Sequence, residues 1–300
     1  MKKIVVLGST NTDMVITDRR LPAPGETISG GKFMMNPGGK GANQAVAVAR
    51  LSRQKGCCTF IAKVGDDLFG RETAVRMRKD GIRAHLVVDR KNASGTALIL
   101  VDAKGQNVIS VALGANGTLC PRDIAPFLRE IKGAAALLMQ LETPVLTVLV
   151  AAKAAKAAGV PVILNPAPAK TLPRELYKCL DWITPNETEA EILTGVKVTD
   201  AESASKAVDV FLSRGVGHVA ITMGAKGVYC GNCRKLYPTR RVKAVDCVAA
   251  GDTFNGAFAV ALVEGKTCKD AIAFAQQAAA ISVTRPGAQS SVPFRREIRA

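Results

Sequence analysis

Histidine and the large aromatics are scarce in this chain. Two histidines, one tryptophan, three tyrosines and nine phenylalanines stand among 300 residues. So few flat rings leave little on which nucleic-acid bases could stack. With only His85 and His218 as imidazoles, a zinc site would rest on cysteines. Cys230-Gly231-Asn232-Cys233 is a lone C-x-x-C with no second pair, so structural zinc is not expected. Acidic residues are also in deficit, 25 against 41 basic ones, for a formal charge of +16. The basic residues come as scattered pairs (Lys2-Lys3, Arg19-Arg20, Arg240-Arg241, Arg295-Arg296) rather than as a basic helix. No zinc finger, RNA-binding aromatic motif or basic zipper accompanies them. The charge therefore reads as solubility and attraction for anionic metabolites, with no nucleic-acid partner.

Long apolar runs are missing too. Nothing approaches the ~18–20 residues of a membrane span, so no membrane partner is expected. The run Ile4-Val5-Val6-Leu7-Gly8 is too short for a secretory signal and reads as a first strand. Eight dispersed cysteines, with Cys57 and Cys58 adjacent, argue against a disulfide framework and for a reduced, cytoplasmic protein. No linker, low-complexity tract or internal repeat divides the chain, and one domain over 1–300 is expected.

What is present is alternation. Short β-branched runs over 4–7, 59–64, 135–141, 160–164, 182–184 and 219–222 read as strands. Alanine-rich amphipathic stretches over 43–53, 69–79, 121–132, 145–158, 201–214, 249–264 and 270–284 read as helices. That order predicts an α/β protein with a doubly wound, mostly parallel sheet. Two stretches break the rhythm. Residues 18–37 carry Pro22, Pro24 and several glycines, and the runs 96–101 and 108–113 flank Asp102-Ala103-Lys104-Gly105 like a hairpin. Both lack a helical partner, so they are expected to form a small separate sheet.

Polar residues recur where the strands end: Ser9 to Asp13, Glu142, Asn165, Asn186 to Glu189, and Met223-Gly224 after Thr222. In an open parallel sheet ligands bind outside the carboxyl ends of the strands, so this set predicts a polar small-molecule site. Two motifs sharpen the chemistry. In Ala249-Ala250-Gly251-Asp252-Thr253-Phe254-Asn255-Gly256, small residues open a helix and place a carboxylate in its first turn. The N-terminus offers unpaired N–H groups to an anion, and Asp252 can take a proton from whatever attacks that anion. The combination reads as phosphoryl transfer to a hydroxyl; taken alone, the segment also fits an ordinary helix start. The second motif, Asn36-Pro37-Gly38-Gly39-Lys40-Gly41-Ala42-Asn43-Gln44-Ala45, is not a P-loop, because the G-x-x-x-x-G-K-[ST] spacing is absent. No G-x-G-x-x-G follows the first strand either. Its glycines let backbone and amide groups approach a hydroxylated ligand, or form a plain turn before a helix.

Together the two motifs carry a resemblance to the PfkB-type carbohydrate kinase family, running from the first strand to Val292-Pro293. Pro24-Gly25-Glu26-Thr27, Met139-Gln140-Leu141-Glu142, Asn165-Pro166-Ala167-Pro168-Ala169 and Thr184-Pro185-Asn186-Glu187-Thr188-Glu189 belong to it. The set Asn11, Asp13, Gly39 to Asn43 and Glu142 resembles the members that phosphorylate ribose at the 5-hydroxyl with ATP; a related kinase for 2-deoxyribose or a nucleoside is the alternative. The resemblance implies Asp252 as base and the backbone of Ala249, Ala250 and Gly251 as anion hole. It implies Asn11, Thr12, Asp13, Gly39, Lys40, Gly41, Ala42, Asn43 and Glu142 around the sugar. Asn186 and Glu189 match an N-x-x-E motif acting on phosphates and Mg2+. Thr222, Met223, Gly224, Ala225, Lys226 and Gly227 would line the nucleotide, with Gln276 where the family often carries His or Asn beside the adenine. A K+ site is implied at Asp246, Val248, Ser282, Arg285, Gly287 and Ser291. The irregular stretches, about 15–37 and 95–114, match a β lid through which a homodimer forms.

Overall fold

The computed structural model describes residues 3–298. Its strands are β1 (Ile4–Leu7), β2 (Asn11–Thr17), β3 (Lys32–Gly38), β4 (Cys58–Gly65), β5 (Arg83–Asp89), β6 (Gly95–Val101), β7 (Asn107–Ala112), β8 (Ala136–Met139), β9 (Val162–Leu164), β10 (Trp182–Ile183), β11 (His218–Thr222), β12 (Val228–Cys230) and β13 (Lys235–Tyr237). The helices are α1 (Lys40–Leu51), α2 (Leu68–Lys79), α3 (Pro121–Ile124), α4 (Leu128–Lys132), α5 (Val145–Ala157), α6 (Arg174–Tyr177), α7 (Glu187–Thr194), α8 (Ala201–Ser213), α9 (Ala250–Val263) and α10 (Cys268–Ser282).

Nine strands form one sheet in the order β13-β12-β11-β10-β9-β8-β1-β4-β5. From β11 to β5 every neighbouring pair is parallel; only the β11-β12-β13 edge runs antiparallel. The alternation of β1 shows why the sheet is covered on both sides. Val5 and Leu7 join a core with α5 and α8, while Ile4 and Val6 join a second core with α1, α9 and α10.

A second sheet of four strands, in the order β3-β2-β6-β7, stands apart. It begins at Asn11, because the polar run after β1 pairs at once with Gly38 and Gly95 rather than ending in a loop. The helix expected over 121–132 is broken into α3, a 3-10 turn at Ala125–Phe127, and α4. Pro126 lies in that turn and has no N–H for a continuous helix. Strands β5 and β12–β13 and helix α7 were not anticipated from the sequence. The helix expected from residue 43 begins at Lys40.

Candidate active site

Helix α1 has no side-chain cap of its own. Glu142, arriving just beyond β8, takes that role: its Oε2 accepts from the Lys40 N–H at 3.0 Å and from Ser9 Oγ at 2.5 Å. A carboxylate at a helix N-terminus gains from the dipole, so a strand end 102 residues away anchors the helix. A side chain at Gly41 would collide with the backbone of Gly8 and Ser9, which is what lets α1 start directly against the end of β1.

Helix α9 starts differently. Ala249 precedes it at φ 58°, one of two non-glycine residues with positive φ among those described. An alanine there is strained, and strain of this kind collects at functional sites. Gly251 and Asp252 follow in the first turn, where helix N–H groups have no intrahelical acceptor. The Ala250 N–H turns to the Cys247 carbonyl at 3.3 Å.

Asp252 is buried, and both its oxygens are held from α1. Asn43 Nδ2 donates to Oδ2 and Gln44 Nε2 to Oδ1, each at 2.9 Å. Gln44 also donates to Asn165 Oδ1 at 3.0 Å and accepts from Gln140 Nε2 at 2.5 Å. Asn165 Nδ2 bonds the Thr184 carbonyl, the Thr184 hydroxyl bonds Asn255, and Asn255 Nδ2 returns to the Gly251 carbonyl. A closed run of buried amides thus joins the ends of β8, β9 and β10 to the first turn of α9.

Charge gathers at the same place. Burial alone would lower the Lys40 ammonium, but Asp252, Glu142 and Glu189 around it hold it above the ordinary lysine range. Burial raises Glu189, with Asp252 adding to the effect and Lys40 opposing it. Asp13 is pushed up to about 6, by burial first and then by Glu142. Asn43 Oδ1, on the residue that donates to Asp252, is one of seven buried polar atoms with no hydrogen-bond partner among the described residues. Buried polar atoms are normally satisfied, so this one suits a ligand hydroxyl.

The pfkB family carbohydrate kinase model matches residues 1–295. The chain belongs to this family. It is 47% identical over 299 residues to the ribokinase of Haemophilus influenzae, covering 99% of this chain and 97% of that protein. It is 38% identical over 297 residues to a deoxyribokinase of Salmonella typhi, covering 97% and 95%. The Arabidopsis thaliana ribokinase, solved with ribose and ATP, superposes with a TM-score of 0.91 at 36% identity, covering 99% and 97%.

Against the residues expected from the family, the geometry is uneven. Asp252, Glu142 and Glu189 gather around Lys40, with Asn43 on Asp252 and Asp13 beside Glu142, whereas Thr12 lies on the other face of β2 from Asp13. The Asn11 amide oxygen already accepts from Asn116 Nδ2 at 2.8 Å, and Asn116 also brackets the Thr10 backbone. Asn186 and Glu189 form a reciprocal cap on α7: Asn186 Oδ1 accepts from the Glu189 N–H at 2.8 Å and Glu189 Oε2 from the Asn186 N–H at 2.9 Å. One Glu189 oxygen is left for other work. Gln276 instead donates to the Tyr237 carbonyl at 2.8 Å, at the wall of a cleft of about 600 Å³ that Asp252 does not line. Local pattern does not single out Gln44, Gln140 or Asn116 as site residues; Gln44 lies within the glycine motif, but its partners come from strand ends 96 and 121 residues away and from the start of α9, 208 residues away.

Proposed function

We propose that this chain transfers the terminal phosphoryl group of ATP to the 5-hydroxyl of D-ribose. The observation that carries this reading is the Asp252 carboxylate, fixed by two amide donors in the first turn of α9. A base so held needs no reorganisation before it acts. Asp252 takes the hydroxyl proton, the alkoxide oxygen bonds to the terminal phosphorus, and the bond to ADP breaks, its electron pair leaving with ADP. The backbone of Ala249, Ala250 and Gly251 stabilises charge on the transferring group. Thr12, Asp13, Asn43 and Glu142 hold the sugar hydroxyls with Asn11, Lys40 and the backbone of Gly39, Gly41 and Ala42. Residues 222–227 and Gln276 border the nucleotide.

Two ions fit the donors. Glu189 is raised by partial burial first and by Asp252 in addition, and a carboxylate in that position gains from a cation, so with Asn186 beside it Glu189 suits Mg2+, which offsets phosphate charge when bound. For K+, Asp246 accepts from the Val248 and Gly287 N–H groups at 2.9 Å each, drawing together the two loops whose oxygens, with those of Ser282, Arg285 and Ser291, would hold it. The eight cysteines are free thiols, which favours a cytoplasmic setting. A second copy is proposed to cover the small sheet.

The test is ADP release from MgATP with D-ribose, 2-deoxyribose, fructose and adenosine, each with K+ and with only a large organic cation. Ribose is expected to turn over fastest and to need K+. Asp252→Asn is expected to lower kcat by ~10² or more with sugar binding nearly intact. Faster turnover of 2-deoxyribose, the second reading favoured by the deoxyribokinase likeness, would move the substrate. No turnover on any acceptor would overturn the proposal.

A further inference from the structure

The C-x-x-C motif has no place in phosphoryl transfer, and its neighbours in sequence offer no further ligand. The fold supplies one. Cys230 closes β12, Cys233 sits in the turn to β13, and Cys268 is the first residue of α10. Their three sulfurs lie within 4.8 Å of one another, with Cys230 and Cys268 3.0 Å apart. Tetrahedral Zn2+ with sulfur at ~2.3 Å sets its ligand sulfurs about 3.8 Å apart, inside the 4.8 Å that bounds all three, so Cys230 and Cys268 would open slightly around the ion.

Three further observations suit a metal rather than a chance meeting of thiols. The backbone N–H groups of Asn232 and Cys233 both face the Cys230 sulfur. Arg234, directly after Cys233, is the other non-glycine residue with positive φ, so the turn that aims those N–H groups is held in a strained form. Cys268 stands at the N-terminus of a 15-residue helix, whose dipole favours an anionic thiolate cluster. The Tyr237 hydroxyl adds a hydrogen bond to Cys233.

We propose that Cys230, Cys233 and Cys268 bind a thiophilic d10 ion, Zn2+ by the ligand set and spacing, at the junction of the β12–β13 turn and α10. Soft thiolates select such ions over Mg2+ or K+. Binding exchanges the thiol protons for the ion, so protons are released. Cys233 is exposed, which gives the ion a path in and leaves the fourth position to water. The site would fasten the hairpin to α10, which also carries Gln276 and its bond to Tyr237. It is independent of the kinase reading.

The experiment uses the full chain, reduced and freed of metal by chelation, titrated with Co2+ and then Zn2+. One Co2+ per chain is expected to give thiolate-to-cobalt charge-transfer absorption with tetrahedral ligand-field bands, erased by stoichiometric Zn2+. Cys233→Ser and Cys268→Ser are expected to weaken Zn2+ binding ~100-fold or more, since even outer partners of a metal ligand are worth 10–100-fold. Cys120→Ser serves as the control and should bind as the parent does. Because Cys233 is exposed, its variant keeps the fold, which circular dichroism checks. Absence of the charge-transfer band, or Zn2+ affinity unchanged in the folded Cys233→Ser variant, would overturn the proposal.

Discussion

Asp13 illustrates how a binding residue opposes the fold that holds it. Partly buried and beside Glu142, its carboxyl is raised to about 6, above the ~3.9 of an exposed aspartate. The unfolded chain gives up that proton more readily than the folded one. Stability from this group is therefore fully present below about pH 4 and is lost as pH rises through 6. At neutral pH the charged Asp13 costs stability until sugar hydroxyls bond to it. Asp13→Asn removes the titration. Urea unfolding of both sugar-free proteins at pH 4.5 and 7.5 should show the variant gaining ~2 kcal/mol relative to the parent across that interval. Its ribose KM should rise sharply. Stability differences that stay parallel between the two pH values would remove burial as the cause.

At the scale of elements, the site depends on how closely α1 and α9 approach. Gly256 faces α1: a Cβ there would lie 2.5 Å from the Ala47 Cβ and 2.9 Å from the Gln44 carbonyl. Helix propensity alone favours Gly256→Ala by ~1 kcal/mol. Overpacking against a backbone carbonyl costs ~1–3 kcal/mol. Packing should win, so the variant is expected to unfold at lower urea. It should also lose kcat, because α9 moves away from Asn43 and Gln44, the residues that hold Asp252. A variant more stable than the parent would show that the helices have slack. Elements were legible where their cause was local. The apolar runs of β1, β4 and β11 and the periodicity of α2 and α8 stood out. Strand β5 did not: Arg83-Ala84-His85-Leu86-Val87-Val88-Asp89 lies at the sheet edge, where polar residues are tolerated and the apolar signal is diluted.

The whole molecule is a large sheet covered on both faces and a small one that is not. In the small sheet Asp13 pairs in register with Asn36 and Ala97, whereas Met14 pairs with Met35 and Leu98. Met35, Leu98, Phe33 and Val108 therefore share the face away from Asp13, and all four are exposed, Phe33 at 60% and Leu98 at 57%. A monomer seldom leaves so much apolar surface contiguous. The proposed second copy would bury it. Sedimentation is expected to give a dimer, and Phe33→Glu with Leu98→Glu to give a folded monomer. A parent that sediments as a monomer would assign this face to something else.

By itself the sequence determined the parallel α/β order, because strand and helix periods are local. It also determined the family, because both glycine motifs are contiguous, and it placed Asp252 in the first turn of a helix. It could not bring Glu142 to the start of α1, since that contact spans 102 residues. Nor could it show Gln44 holding Asp252 across 208 residues, or Cys268 reaching the C-x-x-C pair across 38. Hydrogen bonds and sulfur clusters of that range depend on strand order and helix packing, which no local pattern encodes. Tertiary structure alone decided which polar residues meet.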